Sequence, residues 1–224
     1  MQFLPLKDAI KASTLSTHWR YQCLRRPNLL LDQSFFYSVS KFRRTILSEA
    51  GALEYLNIVC SILRCHVGPI QKFVLDVPHW MDRDFDFITP WIQILSGKFV
   101  QEFSLIQERR GFHRELPSYL FSRVRFDNLT HLTLINFTFP LVFDLPWDFP
   151  FLISLQMHVH IYMEPFPQQA EVFGLLTSKC PLLESLDLKV CALKSSLSIH
   201  APKLQNLVLH GRLSKDMFGR SQTG

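Results

Sequence analysis

A short leucine phrase, Leu-x-x-Leu-x-Leu, recurs along the chain and limits its fold more than any other feature. Its three all-leucine copies are Leu129-Leu132-Leu134, Leu183-Leu186-Leu188 and Leu204-Leu207-Leu209. Three looser copies share the frame: Ile70-Phe73-Leu75, Val100-Phe103-Leu105 and Leu152-Leu155-Met157. Loose copies arise easily by chance in a chain that is 47% apolar, so the prediction depends on the all-leucine copies and on the steady step between copies.

The central residues of successive copies are 21 to 31 residues apart. This spacing brackets the period of about 20–29 residues that leucine-rich repeats have. Because side chains alternate between the faces of a strand, Leu186 and Leu188 should point together into the core, and Leu207 should do the same in the last copy. One coil cannot bury its apolar edge alone, so several coils must stack around a continuous core. We therefore predict an α/β fold, a leucine-rich-repeat solenoid with short parallel strands.

The residues between the leucines should face solvent on the concave side of such a solenoid, where repeat proteins usually bind their partners. The side chains there are chemically mixed and indicate no particular ligand class. We predict that a target protein contacts this face through Lys72, Glu102, His131, Gln156, Asp187, Lys189, Asn206 and His210.

Helical patterns separate the strand phrases. One covers Glu49–Cys65, and beyond residue 69 the clearest are Ile88–Leu95 and Ala170–Ser178; alternation of strand and helix favours a parallel sheet. The first 32 residues have a helical apolar stripe that is too irregular for one straight helix, followed by Leu29-Leu30-Leu31 as a short buried run. We expect four segments: 1–32, a small helical unit; 33–68, a linker and a helix; 69–213, the repeats; and 214–224, a tail.

Charge and cysteine content restrict the partners and the compartment. Residues 1–44 carry a net charge of +6, whereas the remainder carries −1. A solvated helical face explains the basic segment better than a nucleic-acid-binding face does, so we expect no nucleic-acid partner. No apolar stretch is long enough to span a membrane and no signal peptide is readable, so we expect no membrane partner. Five cysteines without a secretion signal favour reduced thiols, and hence an intracellular protein of the nucleus or cytoplasm.

Candidate chemical sites are weak. His158-x-His160 and Cys60-x4-Cys65-His66 begin metal-site patterns, but neither has the further ligands that a zinc site needs. Asp82-x-Asp84-x-Asp86 resembles the start of a calcium loop, yet Phe87 and Gln93 stand where such a loop requires Gly and Glu. No nucleophile motif, phosphate loop or dinucleotide fingerprint is present. We therefore expect no catalytic residue, no metal, no cofactor and no enzyme activity.

The stretch LPLKDAIKASTLSTHWRYQCLRRPNLLLD, residues 4–32, resembles the second half of an F-box in the large plant family of F-box/leucine-rich-repeat proteins that often carry an FBD domain. That family typically reads LPLKDAVRTSxLSxxWRYxW followed by PxLxFD. CPLLESLDLKVC, residues 180–191, also resembles the family, and the likeness covers nearly the whole chain. It includes neither the first helix of a full F-box nor an FBD domain, so we expect a partial F-box over residues 1–32.

The resemblance implies a function. Members are similar to substrate receptors of SCF-type cullin–RING ubiquitin ligases, in which the F-box docks on a Skp-type adaptor and the repeats hold the protein to be ubiquitinated. Such a receptor acts by proximity and needs no catalysis of its own. Carried over to this chain, the adaptor contact falls on Leu4, Pro5, Leu15, Ser16 and Trp19. The alternative is a stand-alone repeat module that binds a partner protein without recruiting a ligase.

Overall fold

The computed structural model describes residues 4–39, 49–77, 88–107, 114–117, 119–121, 124–138, 147–160, 169–191 and 198–210. The calcium-like pattern at 82–86 and the predicted tail at 214–224 lie outside these residues. The helices are α1 (Leu6–Ala12), α2 (Thr17–Leu24), α3 (Gln33–Val39), α4 (Glu49–Cys65), α5 (Ile88–Ser96) and α6 (Gln169–Ser178). The strands are β1 (Asn28–Leu31), β2 (Lys72–Asp76), β3 (Glu102–Ile106), β4 (Arg114–Glu115), β5 (His131–Thr138), β6 (Ser154–His160), β7 (Ser185–Cys191) and β8 (Asn206–His210).

All the strands form one open parallel sheet. Its order is β1-β2-β3-β5-β6-β7-β8, with the short β4 pairing with the far end of β5. Apart from the two-residue β4, strands that follow each other along the chain are therefore neighbours in the sheet, as stacked coils require. The predicted α/β leucine-rich-repeat solenoid with short parallel strands is confirmed.

The core is a ladder of side chains that lie opposite each other in the strand register. Phe73, Phe103, Leu132, Leu155 and Leu186 form one rung across β2, β3, β5, β6 and β7, and all five are buried. A second rung, two residues further along each strand, is equally buried and consists of Leu75, Leu105, Leu134, Met157 and Leu188. Burying a side chain of this size stabilises the fold by about 1.5–3 kcal/mol, so these two rungs hold the coils together.

The prediction that Leu207 lies in the core is wrong in one respect. Leu207 continues the first rung opposite Leu186, but 46% of its surface is exposed. The cause is its position: β8 is the last strand among the described residues, so no further described coil packs against it. The all-leucine phrase predicts the direction of the side chain but not what covers it.

The sheet begins one coil earlier than the leucine phrases indicate. β1 pairs with β2, placing Leu29 opposite Phe73 and Leu31 opposite Leu75. Both leucines are buried, whereas Leu30 points to the other face and is 40% exposed, so the prediction of a fully buried run is wrong at that residue. Alternation along a strand explains the difference.

Helix α4 covers the predicted residues, and α5 and α6 lie where helices were predicted, with ends that differ by one residue. The N-terminal stripe forms two helices, α1 and α2, as its irregular spacing indicates. Helix α3 lies in the stretch predicted as a linker. Asp32 Oδ1 accepts a hydrogen bond of 2.8 Å from the Phe35 backbone N–H, which satisfies an otherwise unpaired donor at the start of this helix.

Buried polar contacts attach the N-terminal helices to the sheet. The buried Arg26 guanidinium donates a hydrogen bond of 2.7 Å to the Leu4 carbonyl, and the buried His66 ring nitrogen Nε2 lies 2.8 Å from the Arg26 carbonyl. The Lys98 ammonium donates to the His66 carbonyl at 2.8 Å. Residues before α1, after α2, after α4 and after α5 are thus connected. No helix in the described part of the chain is both long and apolar enough to cross a membrane.

Candidate functional site

The five residues predicted to contact an adaptor are all exposed. Pro5 precedes α1, where its missing N–H costs no hydrogen bond, and its carbonyl accepts from the backbone N–H groups of Asp8 and Ala9. Ser16 caps α2, because its hydroxyl oxygen accepts a 3.2 Å hydrogen bond from the Trp19 backbone N–H. The cap fixes the start of α2 and hence the position of Trp19 within its first turn.

Large apolar side chains on this surface are unusually accessible. Leu15 is 78% exposed, Leu4 41% and Trp19 40%. Apolar side chains of this size are more often buried, and their exposure makes them candidates for contact with another protein. Tyr21, which sequence reasoning did not assign to the contact, is 52% exposed, with the Arg25 guanidinium 4.5 Å from its ring centre. Tyr21 belongs to the Trp-Arg-Tyr part of the family pattern, and this position could have indicated it.

The predicted target-binding residues all lie on one face of the sheet, opposite the buried rungs; we call this the open face. Strand register arranges them in three rows. Lys72, Glu102, His131 and Asn206 lie in the first row, Gln156 and Asp187 in the second, and Lys189 and His210 in the third. Residues more than a hundred positions apart in sequence thus share one surface.

An ion pair joins the first row across β2 and β3. The Lys72 ammonium lies 2.7 Å from the Glu102 carboxylate, and both side chains remain more than 40% exposed. In the next strand, the exposed His131 ring nitrogen Nδ1 lies 2.9 Å from the Thr130 hydroxyl oxygen. The exposed Lys72–Glu102 ion pair contributes little to stability, about 0–1 kcal/mol.

Asp187 is the centre of a polar cluster on the second and third rows. The Gln156 amide donates a hydrogen bond of 3.0 Å to Asp187 Oδ2. The imidazole nitrogens Nε2 of His158 and His210 lie 3.6 Å and 3.5 Å from Asp187 Oδ1, one from the strand on each side. We define these four residues as the Asp187 cluster.

The sequence pattern pairs His158 with His160, but the side chains that lie near His158 belong to the neighbouring strands. The ring centres of His158 and His210 are 6.2 Å apart. The two residues lie 52 positions apart in sequence, and only the strand register brings them together. Among the described residues, no group of three or more His, Cys, Asp or Glu side chains is arranged to hold a metal ion.

Two of the described thiols, those of Cys23 and Cys180, are poorly suited to nucleophilic chemistry because their pKa values are raised. Burial raises the pKa of the Cys180 thiol to about 12, and burial also raises the pKa of the Cys23 thiol despite the nearby Arg26. Since the thiolate is the nucleophile, both side chains remain protonated at neutral pH. Among the described residues, the candidate contact surfaces are the exposed N-terminal helices and the open face.

Comparison with known proteins identifies relatives of the whole described array. The family described as "FBD-associated F-box protein At5g56370, LRR repeats" matches residues 88–221, more than half of the chain. F-box/FBD/LRR-repeat protein At1g13570 of Arabidopsis thaliana is 33% identical over 218 residues, which cover 96% of this chain and 46% of the relative. F-box/LRR-repeat protein 13 of the same plant is 28% identical over 190 residues, covering 83% of this chain and 37% of the relative.

The chain spans less than half the length of these curated relatives. No solved structure matches it. The family match covers the repeats, and the alignment with At1g13570 extends over nearly all of the sequence, including the stretch that resembles an F-box. This chain belongs to the plant F-box/FBD/leucine-rich-repeat protein family.

Proposed function

We propose that this chain is a non-catalytic substrate-receptor subunit of an SCF-type cullin–RING ubiquitin ligase, acting inside the cell. Helices α1 and α2 dock on a Skp-type adaptor, and the open face binds the protein to be ubiquitinated. The chain accelerates the reaction by holding its target near a ubiquitin-charged enzyme, which raises the local concentration of the target.

The observation that carries the proposal is the exposure of Leu15 and Trp19 on the helical segment that precedes the parallel sheet. Aromatic and aliphatic anchors dominate the affinity of protein interfaces when a partner buries them. The Ser16 cap orients Trp19, and the Arg26 contact holds the chain before α1 against the array. The adaptor surface and the open face therefore belong to one connected unit, as a receptor that must position a target requires.

The direct test is binding of the purified chain to a recombinant Skp-type adaptor. We expect a complex with the wild type and at least a hundredfold loss of affinity in the double variant Leu15→Ala/Trp19→Ala. The matched control is Phe151→Ala/Leu175→Ala, which removes two side chains of similar size that are exposed elsewhere. Failure of the wild type to bind any Skp-type adaptor would reject the receptor proposal and leave the stand-alone repeat module.

Point variants are preferable to a deletion of residues 1–32. Such a deletion would also remove β1 with the buried Leu29 and Leu31, so loss of binding could reflect loss of the fold. The open face has its own variant, Lys189→Glu/His210→Ala, at exposed positions of the third row. It should retain adaptor binding and reduce capture of the proteins that the wild type recruits, since the two surfaces share no residue.

A further inference from the structure

A cavity of about 960 Å³ lies between α1, α2 and α4. None of the five predicted adaptor contacts lines it, and neither does any of the predicted target-binding residues of the open face. The apolar side chains that line it range from fully buried to exposed. Leu6 and Leu29 are buried, Ile10, Leu24, Ile58 and Ile62 are half-buried, and Leu53 on α4 is 59% exposed.

The half-buried aliphatic side chains have an uncovered side that faces the cavity. Leaving aliphatic surface in water is unfavourable, so an apolar body that enters the cavity is stabilised there. Small-molecule sites typically enclose about 300–1,000 Å³ and are lined mainly by apolar side chains with a few polar groups. The volume and lining of this cavity match that description at the large end, which favours an extended hydrocarbon ligand.

Cationic side chains mark where a polar head would lie. Lys7 and Lys11 line the cavity from α1, one helical turn apart on the same face, and Arg20 lines it from α2. Lys7 is half-buried, and Lys11 and Arg20 are exposed, so these charges lie toward solvent relative to the buried leucines. Glu54 is the single carboxylate in the lining, so positive charge prevails and an anionic head is attracted.

We propose that this cavity binds a free carboxylate with a long hydrocarbon chain, a fatty-acid-like amphiphile. The chain of the ligand packs against the aliphatic residues of α1, α2 and α4, and its carboxylate pairs with Lys7, Lys11 and Arg20. The Leu15 and Trp19 side chains lie outside the lining, so the ligand and the proposed adaptor contact use different side chains.

Calorimetric titration with laurate, kept below its micelle concentration, tests the proposal on the full chain. We expect saturable binding of one laurate per chain and at least tenfold weaker binding of dodecyltrimethylammonium, which has the same hydrocarbon length and the opposite charge. Binding of the two amphiphiles with equal affinity would overturn the assignment of a carboxylate, and absence of saturable laurate binding would overturn the site. Association with anionic vesicles in the absence of laurate binding would also contradict it.

Two variants locate the ligand. Lys11→Gln/Arg20→Gln changes exposed residues and should weaken laurate binding at least tenfold without altering the circular dichroism spectrum. Ser61→Trp places a large ring in the cavity from an exposed position of α4 and should abolish binding. Its matched control is Arg64→Trp, exposed on the same helix but outside the lining. Laurate affinity that is unchanged in Ser61→Trp would overturn the assignment to this cavity.

Discussion

Leu186 and Leu207 lie directly opposite each other in β7 and β8, yet Leu186 is fully buried and Leu207 is 46% exposed. Both occupy the central position of an all-leucine phrase and both point to the core side of the sheet. Their difference comes from their neighbours: β6 and β8 flank β7, whereas among the described strands only β7 pairs with β8. In a stacked array, the contribution of a leucine to stability therefore depends on the number of coils beside it.

Alanine variants of Leu186 and Leu207 should lower the free energy of unfolding by different amounts, and each variant is the control for the other. Leu186→Ala leaves a cavity in a closed core and should lower the free energy of unfolding by about 2–5 kcal/mol. Leu207→Ala removes a side chain that is already half in water and should cost about 1 kcal/mol. Urea denaturation followed by circular dichroism measures both. Equal losses in the two variants would contradict the end position of β8.

Gly174 in α6 should be required by a close approach of another segment. A Cβ atom there would lie 2.8 Å from His200 Nδ1 and 3.2 Å from Ser198 Oγ. The His200 backbone is held in place, because its N–H donates a 2.8 Å hydrogen bond to the buried Thr177 hydroxyl, so relief of the contact requires the exposed His200 ring to rotate away. Gly174→Ala should therefore destabilise the fold by about 1–3 kcal/mol through overpacking.

The companion variant His200→Ala removes the obstructing ring. In that background, Gly174→Ala should become neutral or stabilising by up to about 1 kcal/mol, because alanine favours a helix over glycine. Thermal or urea unfolding of the four proteins gives the coupling between the two sites. Additive effects would show that the ring is not the cause.

Protonation of His66 should weaken the attachment of the N-terminal helices at low pH. Burial lowers the pKa of the His66 imidazole; the hydrogen bond to the Arg26 carbonyl opposes this shift, and the nearby Lys98 ammonium adds to it. The unfolded chain therefore binds this proton at higher pH than the folded chain does. The stability that the neutral ring provides is present above the ordinary pKa of about 6.5 and is lost as the pH falls through the lowered value.

Melting temperatures at pH 7.5 and 5.5 measure this linkage. His66→Gln can still donate a hydrogen bond to the Arg26 carbonyl but has no titrating ring, so it should lose less stability than the wild type over this interval. His131→Gln removes an exposed imidazole and serves as the control. A wild type and His66→Gln with the same pH dependence would contradict a buried neutral ring.

The sequence predicts the coils well because the apolar period is a local signal. The steps between Phe73, Phe103, Leu132, Leu155 and Leu186 correspond to the strand register, and Glu49–Cys65 is helical over its predicted length. Each of these features needs only the alternation of apolar residues within a short window.

The apolar pattern does not predict the first coil, which contains β1, because an arginine occupies one of its apolar positions. Arg26 occupies the position that Ile70 and Val100 hold in the next two coils, three residues before Leu29. Its guanidinium is buried and hydrogen bonded to the Leu4 carbonyl, so the position is filled by a long-range contact. A pattern of apolar residues cannot reveal a buried cation whose acceptor lies 22 residues away.

The sequence predicts which residues lie on the open face, but it does not predict which of their side chains contact each other. Alternation within each strand identifies Asp187 and His210 as solvent-facing, and the structure places both on that face. The Asp187 cluster also includes His158, and it forms only because Gln156 and His158 on β6, Asp187 on β7 and His210 on β8 are aligned. Register between strands depends on loop lengths and packing, which single-sequence periodicity does not specify.

The most direct test of the account is the register of the open face, since the target-binding surface exists only if the coils stack as described. Ser104 and Thr133 are register partners in β3 and β5, and Gln156 lies opposite Thr133 in β6. Neighbouring strands are about 4.8 Å apart, within the Cα separation of about 4.4–6.8 Å that a disulfide spans, whereas the second neighbour is about twice as far. On mild oxidation, the double variant Ser104→Cys/Thr133→Cys should form a disulfide that mass spectrometry detects between the two peptides, and Ser104→Cys/Gln156→Cys should not. A bond in the second variant and none in the first would contradict the stacked parallel array.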